Sequence, residues 1–202
     1  MKPAFSPPRG DVRAEIGELR SEVERLAAQL EEMRSHASTL ETLALEDALT
    51  GLLNRRGFMR DLARAIAYCT RYRTPVAVML ADLDRFKPIN DTYGHDVGDR
   101  ALEHFAQLLR NNVRASDSVG RIGGDEFAVI VWQVDEETAH RKAALLRTII
   151  ASTALEIGGI TLKLESSIGV TMLEPDDTPE EALMRSDQAM YRQKADGKSE
   201  RA

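Results

Sequence analysis

The sequence predicts an α/β sandwich, a mixed central sheet flanked by helices, standing behind a long coiled-coil helix. Three observations predict it. A heptad stripe of apolar residues runs from Ile16 to Ala44. Beyond it, helical and strand patterns alternate, with one strand–turn–strand unit around Gly123-Gly124. The 202 residues leave room for one ordinary domain plus an appendage.

Residues 1–10 carry three prolines and a glycine and read as a disordered lead. Residues 11–46 read as a dimerising helix. Its stripe is Ile16, Leu19, Val23, Leu26, Leu30, Met33, Ala37, Leu40 and Ala44. Ile16 and Val23 take a positions and Leu19 and Leu26 take d positions, a choice that favours two parallel strands. Glu15 then faces Arg20 of the second copy. The alternative is an amphipathic helix packed on its own domain, which the polar residues filling nearly every other position disfavour.

Residues 47–202 form the second domain. The turn-rich Asp47–Phe58 segment opens it. A helix is expected over Arg55–Tyr72, then a buried strand after Pro75. A polar loop follows, then a helix from about Gly98 to Val113 and two short strands around Gly123-Gly124. The order closes with a helix over Glu136–Ser152, a strand from Ile160, and a helix from Pro179 to Lys194.

The net charge is −6, so no basic balance points to nucleic acid. No stretch approaches the roughly 20 apolar residues of a membrane span, and no signal-peptide pattern opens the chain. The single cysteine, Cys69, allows no internal disulfide and reads as a core residue. These features together predict a cytoplasmic protein.

Two constellations carry chemistry. The first apolar strand ends in Asp82 and Asp84, and the next residues include Lys87, Asn90, Asp91, His95, Asp96 and Asp99. A core has little use for such residues, whereas a hard cation and a polar ligand do. The second is Gly123-Gly124-Asp125-Glu126 before an apolar strand. Gly-Gly is by itself a hairpin signal, read here as a place where positive φ is free. It also lets a phosphate approach the backbone with no Cβ in the way. If this hairpin lies beside the end of the first strand, Asp82 and Asp125 converge. Two carboxylates with an open face suit Mg²⁺ that also binds substrate phosphates.

On these residues the chain resembles the GGDEF domain, the catalytic domain of diguanylate cyclases. Asp47-Ala-Leu-Thr-Gly-Leu-Leu-Asn-Arg-Arg56 resembles that family's opening motif. Asp82-Leu-Asp-Arg-Phe-Lys87, Ile89-Asn-Asp91, Gly94-His95 and Gly98-Asp99 follow in the family order. Gly123-Gly-Asp-Glu-Phe127 is the signature, and Ser167-Ile-Gly-Val170 and Tyr191–Lys194 complete it. The family fold is similar to the palm-like domain of adenylate cyclases and polymerases.

The resemblance implies condensation of two GTP into cyclic di-GMP, with release of pyrophosphate, by two domains facing each other. It implies Mg²⁺, with Mn²⁺ as the alternative ion, held by Asp82, the Leu83 carbonyl and Asp125, with Glu126 in support. Asp125 is implied as acceptor of the 3′-OH proton and Lys87 as partner of charge developing on the phosphates. Asn90, His95 and Asp99 would line the guanine pocket, Gly123 and Gly124 would admit the phosphates, and Lys194 and Lys198 would neutralise the triphosphate. Guanine offers N1–H and N2–H₂ to Asp99, and its O6 accepts from the Asn90 amide. Lys198 stands where the family often has Arg, a better bidentate phosphate ligand.

Arg114-Ala-Ser-Asp117 resembles the family's RxxD inhibitory site, where Arg114 and Asp117 would grip the product. The bland alternative is a surface salt bridge at a helix end. For the whole chain, the alternatives to an enzyme are a non-catalytic nucleotide-binding module and an interaction protein working through its coiled coil. Degenerate modules normally lose the signature acids, which this chain keeps.

Overall fold

The computed structural model describes residues 12–199, so the expected disordered lead lies outside the described residues. The chain divides into two compact units at Thr42 and Leu43. The first contains most of helix α1 (Val12–Leu45). Ile16, Leu19, Val23, Leu26, Leu30 and Met33 along it are 46–68% exposed, so this apolar stripe is uncovered within one chain.

The second unit holds α2 (Arg55–Tyr72), β1 (Val76–Leu83), α3 (Phe86–Tyr93), α4 (His95–Asn111), β2 (Ser118–Arg121) and β3 (Glu126–Trp132). After them come α5 (Glu136–Ser152), β4 (Leu155–Ile157), β5 (Ile160–Leu162), β6 (Ser166–Met172) and α6 (Pro179–Ser199). Local chemistry sets the helix starts. Asn54 caps α2 by accepting the Gly57 N–H at 2.9 Å, and Asp135 caps α5 by accepting Thr138 N–H at 2.7 Å. Thr178 and Glu181 form a reciprocal capping box ahead of α6.

The main sheet runs β2-β3-β1-β6, with β4 and β5 as a separate hairpin. All three strand pairings of the main sheet are antiparallel, and its parallel component is the single Leu53–Gly120 bridge beside β2. β1 is central, so both its faces are apolar. Ala77, Met79, Ala81 and Leu83 join a core with α4 and α5, while Val76, Val78 and Leu80 join one with α2 and α6. The strand alternation therefore sends Asp82 to the α2/α6 face. Cys69 is buried in α2, where its thiol donates to the Leu173 carbonyl at 3.7 Å.

Two expected elements differ. The polar stretch after β1 is helical, as α3, and breaks from α4 at Gly94, whose φ is 85°. The strand expected from Ile160 is two, β5 and β6, with Lys163–Glu165 between them. No helix among the described residues is long and apolar enough to cross a membrane.

Candidate active site

Register brings the acids together. Asp82, at the end of β1, pairs with Glu126 of β3 on one side and Ser167 of β6 on the other. Leu83 N–H donates to the Asp125 carbonyl at 3.1 Å, which ties the signature turn to the β1 end. Ser167 Oγ donates to the Asp84 carboxylate at 2.9 Å. From α6, Lys194 Nζ donates to Asp82 and lies 3.9 Å from Asp84.

Burial pushes the Asp82 carboxyl up; the Lys194 ammonium opposes this, and the charges of Asp125 and Asp84 add to it. Glu126 is raised too, first by burial, then by the charges of Asp82, Asp125 and Asp187, with Arg55 opposing. The acids thus sit close enough to repel one another, and a cation among them relieves that repulsion.

A cleft of about 810 Å³ opens over this strand end and is lined by Asp82, Asp84, Lys87, Asp125, Ser167 and Lys194. Arg85 precedes α3 in the left-handed region, at φ 59°, and offers no side-chain cap to the helix start. The first N–H groups of α3 therefore carry no side-chain cap, an arrangement that suits an anion. No three His, Cys, Asp or Glu side chains among the described residues converge enough to hold a metal by themselves. Mg²⁺ needs only one or two carboxylates when phosphates and water complete its shell, so the acid pair fits it.

The other expected nucleotide-site residues do not line this cleft. His95 and Asp99 are exposed on α4. Asn90, on α3, has its Oδ1 buried with no hydrogen-bond partner. The reason is Gly98: a Cβ built there would meet Asn90 Oδ1 at 1.8 Å, so only glycine lets the amide nest against α4. Lys198 lies in the last turn of α6, its side chain outside the described residues.

Neither signature glycine adopts positive φ, so the plain hairpin reason for them does not apply. A Cβ at Gly123 would meet Glu126 Oε2 at 2.5 Å, so the Glu126 side chain would have to shift, whereas Gly124 faces open space. Arg121 holds this turn, donating from Nε and Nη2 to the Gly124 carbonyl at 3.0 and 2.7 Å. Its Nη1 pairs with Asp47 at 3.2 Å. Sequence reading missed Arg121 as a site residue, although it stands two residues before the signature.

The RxxD segment forms a separate, closed turn, with Asp117 N–H donating to the Arg114 carbonyl at 2.9 Å. The two side chains are not joined in the surface salt bridge that the bland alternative expects. Arg114 is exposed, beside a cleft of about 490 Å³. The Asp117 carboxylate instead accepts from Arg114 N–H, Trp132 N–H and Lys142 Nζ at 3.0, 3.2 and 3.1 Å.

Known proteins resemble this chain in sequence and in fold. The family model described as "Diguanylate cyclase, GGDEF domain" matches residues 44–200. The chain is 38% identical over 154 residues to diguanylate cyclase DosC of Escherichia coli, covering 76% of this chain and 34% of that one. It is 41% identical over 160 residues to the response regulator PleD of Caulobacter vibrioides, covering 78% and 35%. It thus spans about a third of the length of these curated relatives. Among solved structures, the coiled coil and GGDEF domain of DgcB from Caulobacter crescentus, in complex with c-di-GMP, superposes with a TM-score of 0.81. That match has 26% identity and covers 89% of this chain and 95% of that one. The acid cluster at the β1 end, the glycine turn that carries two of its acids, and the match over residues 44–200 place the chain in the GGDEF-domain family of diguanylate cyclases.

Proposed function

We propose that this chain condenses two GTP into cyclic di-GMP, as a dimer joined through α1. The observation that carries the reading is the convergence of Asp82, Asp125 and Glu126 at one strand end, with Lys87 and Lys194 bordering the same region. Phosphoryl transfer asks for placement and charge neutralisation more than for covalent help, and this set supplies both.

Asp82, the Leu83 carbonyl and Asp125 would hold Mg²⁺ or Mn²⁺, with Glu126 in support. When bound, the ion would neutralise charge at the α-phosphate and lower the pKa of the nearby hydroxyl. The Asp125 carboxylate takes the proton of a 3′-OH. The 3′-oxygen forms a bond to the α-phosphorus of the GTP on the facing domain, and the bond to pyrophosphate breaks. A second such step closes the ring. Lys87 and Lys194 neutralise charge on the triphosphate, so Lys194 exchanges Asp82 for phosphate when substrate enters. Asp99 accepts guanine N1–H and N2–H₂. The inward Oδ1 of Asn90 leaves its NH₂ end to donate to O6.

The reaction needs two loaded domains. The exposed stripe of α1 supports their pairing, because apolar side chains on an otherwise polar helix are stabilised by a second copy. Product binds back at the RxxD turn through Arg114 and slows the enzyme.

Incubation with GTP and Mg²⁺ should yield cyclic di-GMP and pyrophosphate by chromatography. Asp125→Asn should abolish product formation while far-UV dichroism and Tm stay near those of the parent. Near-full turnover by that variant, with unchanged Mg²⁺ dependence, would contradict the site assignment.

A further inference from the structure

We infer that Lys142 is an internal lock on the product site, holding Asp117 out of reach of the ligand. This rests on the proposed RxxD reading and adds a residue that lies outside that motif. The Asp117 side chain has 0% exposed surface, although its residue borders the Arg114 cleft. Trp132 N–H occupies Oδ1, while Arg114 N–H and Lys142 Nζ share Oδ2. Two of these partners are backbone groups that shape the turn. The third is a side chain from α5, 25 positions away in sequence, and can swing aside.

The chemistry at stake is recognition of a guanine edge. A carboxylate facing N1–H and N2–H₂ accepts two parallel hydrogen bonds, which is a strong and selective contact. With Lys142 seated, Asp117 can make no such contact, and the exposed Arg114 is the member of the pair that the ligand meets. Full engagement needs the Lys142–Asp117 pair to open first. Apparent affinity is then reduced by the fraction of molecules in the open form. A minor form populated at 10% or less lowers affinity at least about tenfold. Asp117 is therefore a positioning residue in the locked state, and Lys142 sets the product concentration at which inhibition begins.

The sign of the effect makes the lock testable. The product carries two phosphodiester charges, so deleting a nearby cation should weaken binding on Coulomb grounds alone. The lock demands the opposite. Calorimetric titration of cyclic di-GMP into the full chain compares the parent with Lys142→Met, Arg114→Ala and the double variant. Lys142→Met should bind product about tenfold more tightly, and Arg114→Ala should remove most of that gain. If Arg114→Ala weakens binding but Lys142→Met leaves it unchanged or weaker, the lock is wrong while the product site stands. If Arg114→Ala binds as the parent does, the product-site reading falls, and the lock with it. Should Lys142→Met unfold, Lys142→Gln, which keeps a shorter donor, is judged by the same criteria.

Discussion

At the scale of single residues, charge pairing in this protein is decided by burial. Arg185 grips Asp177 with both arms of its guanidinium, at 2.6 and 2.7 Å, and also donates to the Met172 carbonyl at 3.0 Å. The Asp177 side chain is only 7% exposed. These hydrogen bonds, with one from Glu174 N–H, hold its carboxyl below the usual range despite burial. A depressed acid stabilises the fold above its ordinary pKa and loses that contribution as pH falls through the depressed value. Arg185→Lys removes the fork and should cost about 1–3 kcal/mol at pH 7. Thermal melts should show the gap between parent and variant closing on acidification; a gap independent of pH would contradict this. Residues of this kind are hard to read from sequence. Asp82, Asp125 and Glu126 were singled out because they stand at the ends of apolar strands and match the family signature. The Arg121 bond to Asp47 spans 74 positions, and the commitment of Asp117 to Lys142 joins a turn to a helix that nothing local connects.

Among the elements, the helices and strands with strong apolar periods were legible, α2 and α5 to the residue. The exceptions have physical causes. Helix α3 starts at a left-handed Arg85, carries Pro88 in its first turn and has no buried residue, so no apolar stripe announces it. The break before β6 was hidden because the apolar run continues through Leu162 and Leu164. Where α3 and α4 meet, packing overrides propensity. Alanine is favoured over glycine inside a helix by about 1 kcal/mol, but the clash with Asn90 offsets that gain, so Gly98→Ala should leave Tm unchanged or lower. Its Cβ must expel the Asn90 amide, which it would meet at 1.8 Å. The expected result is a KM for GTP raised about tenfold with a smaller change in kcat, since the amide is proposed to serve nucleotide binding. Unchanged KM would detach Asn90 from guanine recognition.

For the molecule as a whole, the proposed reaction depends on a second copy, because each domain would supply one GTP. A coiled coil raises the effective concentration of that second domain to about millimolar. The stripe from Ile16 to Met33 is exposed in the single chain. Leu26→Glu puts like charges opposite each other at a d position and should dissociate the pair. The decisive measurement is the initial rate of cyclic di-GMP formation per chain, across protein concentration, for the parent and Leu26→Glu, with mass by light scattering. The parent should convert GTP to cyclic di-GMP at a rate per chain that is flat with dilution. The variant should be monomeric, still bind GTP, and lose rate per chain steeply as it is diluted. No cyclic di-GMP from the parent at any concentration, or a monomeric variant as active as the parent at low concentration, would contradict the account.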